Sequence, residues 1–320
     1  MDFYLNEPSV RPDPSFNALE DAKALRAAMK GFGTDEAAII AVLTKKAHFQ
    51  RQEIITAFKN EFGRDLIKDL KSELGGKFEK LVLALMETPY DYLAHELESA
   101  MAGLGTNEDV LTEVLCTRSN QDIRLICEAY QNKFGNSLED SIKDEVSGEY
   151  KRLLVMLLNG ARDDTSGVNL EKAKEQAEKL YAAGEGCWGT DEETFVVLLA
   201  HESFQQLRIV FDEYRKVSGK TIEQAIKSEF SGDLLTAIET IVRCVLNRNR
   251  YYAEKLEAAM KGFGTDDSTL IRIIVSRSEI DLGSIKKEYQ DLYRKTLHDA
   301  VKKETGGDYK VALLALIGDA

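Results

Sequence analysis

Proline and cysteine are scarce in this chain, with four of each in 320 residues. So little proline leaves long stretches open to helix, because an interior proline costs a helix about 3 kcal/mol. Cys116, Cys127, Cys187 and Cys244 show neither C-x-x-C spacing nor the density of a disulfide framework. That pattern excludes a disulfide scaffold and a four-cysteine metal site, and predicts reduced thiols in a cytosolic compartment. No run approaches the ~18 apolar residues of a membrane span. The start, Met1-Asp2-Phe3-Tyr4-Leu5, lacks the basic stretch and apolar core of a signal peptide, so the expectation is a cytoplasmic protein.

Positive charge is also in deficit, and the formal net charge is −13. Nucleic-acid affinity comes mainly from Lys and Arg neutralising phosphates, so nucleic acid is an unsuitable partner. Simple polybasic docking on acidic lipid is excluded for the same reason. An anionic membrane can be a partner only if something positive bridges two negative surfaces. Catalytic signatures are missing too: His48, His95, His201 and His298 fall at unrelated positions, and no nucleophile motif occurs. The glycine loops described below lack the lysine of a P-loop, and no Asp-x-Asp-x-Asp-Gly loop of an EF-hand is present. The expectation is a protein that is not an enzyme.

What the chain does have is a repeat. Gly31-Phe32-Gly33-Thr34, Gly103-Leu104-Gly105-Thr106, Cys187-Trp188-Gly189-Thr190 and Gly262-Phe263-Gly264-Thr265 recur at Thr-to-Thr steps of 72, 84 and 75 residues. A glutamate follows each Thr by 39 residues: Glu73, Glu145, Glu229 and Glu304. Each glutamate opens a short turn whose final glycine suits a helix stop or tight bend. After each turn comes an apolar set at i, i+3, i+4, i+7 and i+8, such as Phe78, Leu81, Val82, Leu85 and Met86. That period belongs to an amphipathic, core-packed helix and makes the fold all-α.

Segments before the loops, such as Leu19, Ala22, Leu25 and Met29, keep the same period, so each loop is a joint between helices. Its Thr precedes acidic residues, as a helix N-cap should, and Thr190 with Glu193 has capping-box spacing. Breaks near residues 45 to 50 and at Phe62-Gly63-Arg64-Asp65 leave about five short helices per copy. The polar stretch Arg162 to Asn169 coincides with the longer step and reads as a linker between two pairs of repeats. Residues 1 to 15, with Pro8, Pro12 and Pro14, read as an irregular tail.

A single glycine turn between helices is ordinarily only a left-handed turn and a cap. The fixed distal acid adds a different meaning. Ca²⁺ takes roughly six to eight oxygen ligands, and a glycine-rich loop can offer consecutive carbonyls to which one carboxylate is added. One glutamate half-neutralises the ion, so a filled site stays net positive and supplies the missing bridge. Open positions suit water or a lipid phosphate oxygen. Phe32, Leu104, Trp188 and Phe263 place a large apolar residue at each loop tip, where it can enter the membrane interface or pack back beneath the loop.

Met-Lys-Gly-Phe-Gly-Thr at 29 to 34 and again at 260 to 265, the acid 39 residues after Thr, and four repeats of about 70 residues make the chain resemble the annexin family. The resemblance covers nearly all of residues 15 to 319. It implies four five-helix repeats forming a slightly curved disk, with calcium loops on its convex face. The boundaries it implies are a tail at 1–15, repeats at 16–87 and 88–160, a linker at 161–170, and repeats at 171–245 and 246–320. It implies calcium ligands at Met29, Gly31, Gly33 and Glu73, at Met101, Gly103, Gly105 and Glu145, and at Met260, Gly262, Gly264 and Glu304. The third loop departs from the pattern, and there the carry-over is Gly184, Cys187, Gly189 and Glu229.

The implied activity is calcium-dependent binding to acidic phospholipid membranes of phosphatidylserine type, peripheral when calcium is high, in membrane organisation or trafficking. Cytoskeletal partners and self-association on membranes also belong to what the resemblance implies. Two alternatives stay open. One is a calcium-permeable channel along a polar path of Glu96, Glu113, Arg118, Arg272, Arg277 and Asp281, side chains that can equally be buried, paired charges. The other is a helical-repeat scaffold for proteins.

Overall fold

The computed structural model describes residues 6–319 except 32, 164, 187, 188 and 263. Among these residues there are nineteen helices and no strand. The first copy holds α1 (Ala18–Ala28), α2 (Glu36–Leu43), α3 (His48–Phe62), α4 (Leu66–Glu73) and α5 (Gly76–Met86). The second holds α6 (Pro89–Met101), α7 (Glu108–Cys116), α8 (Asn120–Phe134), α9 (Leu138–Glu145) and α10 (Gly148–Leu158). The third runs through α11 (Leu170–Ala183), α12 (Glu192–His201), α13 (Phe204–Ser218) and α14 (Ile222–Glu229) into α15 (Gly232–Met260). Asn247 interrupts α15 with extended backbone, φ −161° and ψ 99°, so this element is two helices end to end. Its second half opens the fourth copy, completed by α16 (Asp267–Arg277), α17 (Leu282–Tyr293), α18 (Leu297–Glu304) and α19 (Gly307–Ile317). Five helices per copy result, as the spacing predicts.

The apolar set after each glutamate is the core stripe. Phe78, Leu81, Val82, Leu85 and Met86 of α5 are buried, as are Tyr150, Leu153, Leu154, Leu157 and Leu158 of α10 and Tyr309, Ala312, Leu313, Leu316 and Ile317 of α19. Each large side chain so buried contributes about 1.5–3 kcal/mol relative to exposure. Of the two uses the sequence allows the glycine closing each post-glutamate turn, it makes the tight bend and does not stop a helix. Gly76, Gly148, Gly232 and Gly307 instead open the next helix with φ of 60° to 64°.

The chain divides into two compact units, residues 1–92 with 249–320 (unit 1) and residues 93–248 (unit 2). Copies one and four therefore share a unit, and copies two and three share the other. Arg162 to Asn169 lies inside unit 2, between the second and third copies. Arg162 is only 9% exposed and donates to the carbonyls of Leu199 and Glu202, with its guanidinium over the Phe204 ring.

The described part of the tail has no helix, yet it is tied down within unit 1. The amides of Ser9 and Val10 donate to the Ser278 carbonyl, and the Gly283 amide donates to Glu7. Further along, Asp13 pairs with Lys46 and accepts no less from its own Ser15, while its amide donates to Gln50. These bonds join copy four to copy one through the segment that precedes both.

Candidate metal and membrane site

Three of the four loops leave a helix that ends at a buried methionine: Met29, Met101 and Met260 are 5–7% exposed. The next glycines take backbone angles that L side chains rarely adopt. Gly31 and Gly33 have φ of 122° and 87°, Gly103 and Gly105 of 102° and 89°, Gly262 and Gly264 of 125° and 92°. A Cβ at any of these six would touch nothing, so glycine is required here by conformation and not by space. The loop neck is closed by one backbone hydrogen bond in every copy. Asp35, Asn107, Asp191 and Asp266 donate their amides to the carbonyls of Ala28, Ala100, Ala183 and Ala259 at 2.7–2.9 Å.

Those same four residues are the N-caps of α2, α7, α12 and α16. The expectation that the loop Thr is the cap is therefore displaced by one residue. The proposed capping box of Thr190 with Glu193 is absent, because Asp191 accepts from the Thr194 amide instead. A carboxylate or amide one position on reaches the N3 amide, and this frees the Thr hydroxyl.

The freed hydroxyl goes to the distant glutamate. Thr34 Oγ1 donates to Glu73 Oε2 at 2.8 Å, Thr106 to Glu145 at 2.9 Å, and Thr190 to Glu229 at 2.5 Å. In the fourth copy Thr265 donates to the backbone carbonyl of Glu304 at 3.3 Å. The 39-residue interval thus closes into direct contact between loop and acid. Each glutamate is moreover the last residue of its helix, α4, α9, α14 or α18. An anion at that end opposes the helix dipole by about 0.3–1 kcal/mol. Four copies of an unfavourable placement are not explained by helix stability.

The third loop differs as its sequence suggests. Gly184 caps α11 with φ −114° and ψ −102°, and a Cβ there would meet Phe195 and the Glu229 side chain at 3.4–3.5 Å. A Cβ on Gly186 would stand 2.9 Å from the Tyr181 carbonyl, to which the Gly186 amide donates. Glu185 is engaged by Lys220. Gly189 keeps the left-handed angle of its counterparts, φ 88°. Cys187, Trp188, Phe32 and Phe263 lie outside the described residues. Leu104, the remaining tip residue, is fully exposed.

Of the polar-path residues, Glu96, Glu113 and Arg118 belong to unit 2 and Arg272, Arg277 and Asp281 to unit 1. Glu113, Arg272, Arg277 and Asp281 are at most 3% exposed. Arg277 Nε donates to Asp281 Oδ1 at 2.8 Å, and its guanidinium lies over the Tyr252 ring at 4.8 Å. This geometry is that of a buried, paired charge.

Among the described residues, no three His, Cys, Asp or Glu side chains converge as a metal site. A cation at these loops would therefore rest on backbone carbonyls plus one carboxylate, the donor set that hard Ca²⁺ accepts. Sequence reasoning missed the Thr hydroxyls as partners of the glutamates. The signal was there, in the constant interval between the two residues.

The annexin family model matches residues 20–85, 92–157, 175–241 and 251–316, one match for each loop-and-glutamate pair. The chain belongs to the annexin family. It is 51% identical to Annexin B10 of Drosophila melanogaster over 320 residues, covering 99% of both chains. It is 48% identical to human Annexin A7 over 314 residues, which is 98% of this chain and 64% of that relative. Among solved structures, annexin III superposes with a TM-score of 0.96 at 43% identity, covering 98% of this chain and 97% of the other. A calcium-bound annexin (Sm)1 superposes with a TM-score of 0.88 at 34% identity, over 98% and 93% of the two chains. Annexins in general bind calcium and phospholipid, and among the described residues of this annexin no helix is long and apolar enough to cross a membrane.

Proposed function

We propose that this annexin attaches to acidic phospholipid membranes when calcium fills the four loops. The carbonyls of Met29, Gly31 and Gly33 with Glu73 would hold one ion. Met101, Gly103, Gly105 with Glu145 and Met260, Gly262, Gly264 with Glu304 would hold two more, and Gly184, Cys187, Gly189 with Glu229 the fourth. The observation that carries the reading is the contact of each loop Thr with its distal glutamate. Bound calcium supplies a net positive charge that neither the loop nor the −13 chain has. The glycines turn the backbone without a side chain in the way, the Thr hydroxyl holds the carboxylate at the loop in the first three copies, and exposed Leu104 at the second tip is free to meet the interface. Cytoplasmic residence, and the repeat boundaries 16–87, 88–160, 171–245 and 246–320, belong to the same proposal.

One carboxylate per site predicts weak calcium affinity in solution, on the order of 10⁻⁵ to 10⁻³ M. Four sites engaging one surface then multiply modest affinities into firm attachment. Sedimentation with phosphatidylserine vesicles checks this: the protein should pellet only with calcium and return to solution on chelation. Changing Glu73, Glu145, Glu229 and Glu304 together to Gln should abolish pelleting while leaving the helical circular dichroism intact. Pelleting without calcium, or none at millimolar calcium, refutes the reading in favour of a protein scaffold.

A further inference from the structure

Two of the four loops carry the same six residues, Met-Lys-Gly-Phe-Gly-Thr at 29–34 and 260–265, and both belong to unit 1. Their backbones agree as well: Gly31 and Gly33 have φ of 122° and 87°, Gly262 and Gly264 of 125° and 92°. Both necks close on the same hydrogen bond, Asp35 to Ala28 and Asp266 to Ala259. A difference between the first site and the fourth therefore has to come from the side of the distal acid.

There the two part. Thr34 Oγ1 donates to the Glu73 carboxylate at 2.8 Å, whereas Thr265 Oγ1 donates to the backbone carbonyl of Glu304 at 3.3 Å. The Glu304 carboxylate lies 3.8 Å from Lys303 Nζ. The residue immediately before the acid is Ser72, Asp144, Ser228 and Lys303 in the four copies, so only the fourth has a cation in that place. Lys303 is largely exposed, and so loose a surface pair adds little to stability.

Two effects act against the fourth site. A carboxylate already held at the loop has given up its rotamer freedom before an ion arrives, while one that is not held gives it up on binding. The hydrogen bond does not use up the acid, because each carboxylate oxygen has a second lone pair to offer. An ammonium beside the acid also repels a divalent cation. In unit 2 neither effect is present, since Thr106 and Thr190 donate to the carboxylates of Glu145 and Glu229 at 2.9 and 2.5 Å.

We propose that Thr34 and Lys303 set an order of calcium filling in unit 1. The first loop fills early because Thr34 positions Glu73, and the fourth fills late because Lys303 draws Glu304 away from Thr265. The inference rests on the calcium reading of the loops and adds regulation to it. Over a calcium rise, unit 1 passes through a state with one ion before it holds two.

Calorimetric calcium titration of two full-length proteins tests the order, one keeping only Glu73 and the other only Glu304, with the remaining three glutamates changed to Gln. The first should bind calcium about tenfold more tightly than the second. Lys303→Ser should tighten the fourth site severalfold and Ser72→Lys should weaken the first, both effects shrinking at high salt. Thr34→Val should weaken the first site roughly three- to tenfold while Thr34→Ser preserves it, and Thr265→Val should leave the fourth unchanged. Calcium-free melting should not separate Thr34→Val from Thr34→Ser, as expected of a residue that positions the acid without supporting the fold. Equal affinities in the two single-site proteins, a Thr34→Ser as weak as Thr34→Val, or a Lys303→Ser without effect overturns the order of filling and leaves the calcium reading standing. A wild type that takes up no calcium overturns that reading, and the order with it.

Discussion

At the scale of single residues, the third helix of each copy ends on a left-handed residue. Gly63, Gly135 and Gly219 occupy this position with φ of 64°, 78° and 75°, but the fourth copy has Arg294 at φ 54°. An L side chain there costs about 1–2 kcal/mol, part of which a glycine returns through the greater freedom of the unfolded chain. Arg294→Gly should therefore raise stability by about 0.5–1 kcal/mol, seen as a higher urea midpoint at unchanged slope. A lower midpoint would show that the Arg294 side chain holds something more valuable than its backbone strain. The loop glycines were legible in the sequence because glycine at φ above 80° has few substitutes. The role of the loop Thr was not, since the same residue type serves equally as a cap and as a hydrogen-bond donor to a carboxylate.

At the scale of elements, helix number and the core stripes followed from periodicity alone, because burial of one helix face dictates the spacing of apolar residues. The pairing of copies was hidden. A longer connection at 162–169 looks like a boundary in sequence, while Arg162 turns it inward through contacts with residues near 200. The tail was hidden as well, because its anchors are mainly backbone groups. Gly283, in the first turn of α17, decides whether the tail docks: a Cβ there would stand 2.7 Å from the Glu7 carbonyl oxygen. Gly283→Ala gains about 1 kcal/mol of helix propensity but cannot keep that contact. Amide exchange should then quicken at Gly283, Ser9 and Val10, whose protection depends on the tail, while the middle of α17 stays protected. Unchanged exchange at these three amides would mean that the tail shifts without leaving.

At the scale of the whole molecule, one carboxylate ties the fourth copy to the first inside unit 1. Glu279 accepts from the His48 amide at 2.8 Å and from Arg51 at 2.7 Å, with His48 Nδ1 at 2.9 Å. Burial alone would raise this carboxyl, but the His48 hydrogen bonds and the Arg51 charge outweigh it and hold it below the usual range. A depressed folded-state value gives stability that is present above the unfolded value of about 4.3 and is lost as pH falls through the folded one. Glu279→Gln should thus cost about 1–3 kcal/mol at pH 7, where buried Arg51 loses its counter-charge and keeps only the backbone carbonyls of Leu43, Lys46 and Leu85. Calorimetric melting should show the gap from wild type narrowing below about pH 4. A gap that stays constant to pH 3 would remove Glu279 charge from the account.

The same division of the chain sets an order of assembly. Residues 1–92 complete their unit only with residues 249–320, and all of unit 2 is encoded between them. At about 5–20 residues per second, a ribosome needs roughly 8–30 seconds to make that intervening stretch. The first helices synthesised must therefore wait, with faces that α16 and α19 will later cover still open to water. Of these two units, the one whose synthesis starts earlier is finished later, and residues 93–248 can fold before residues 1–92 do.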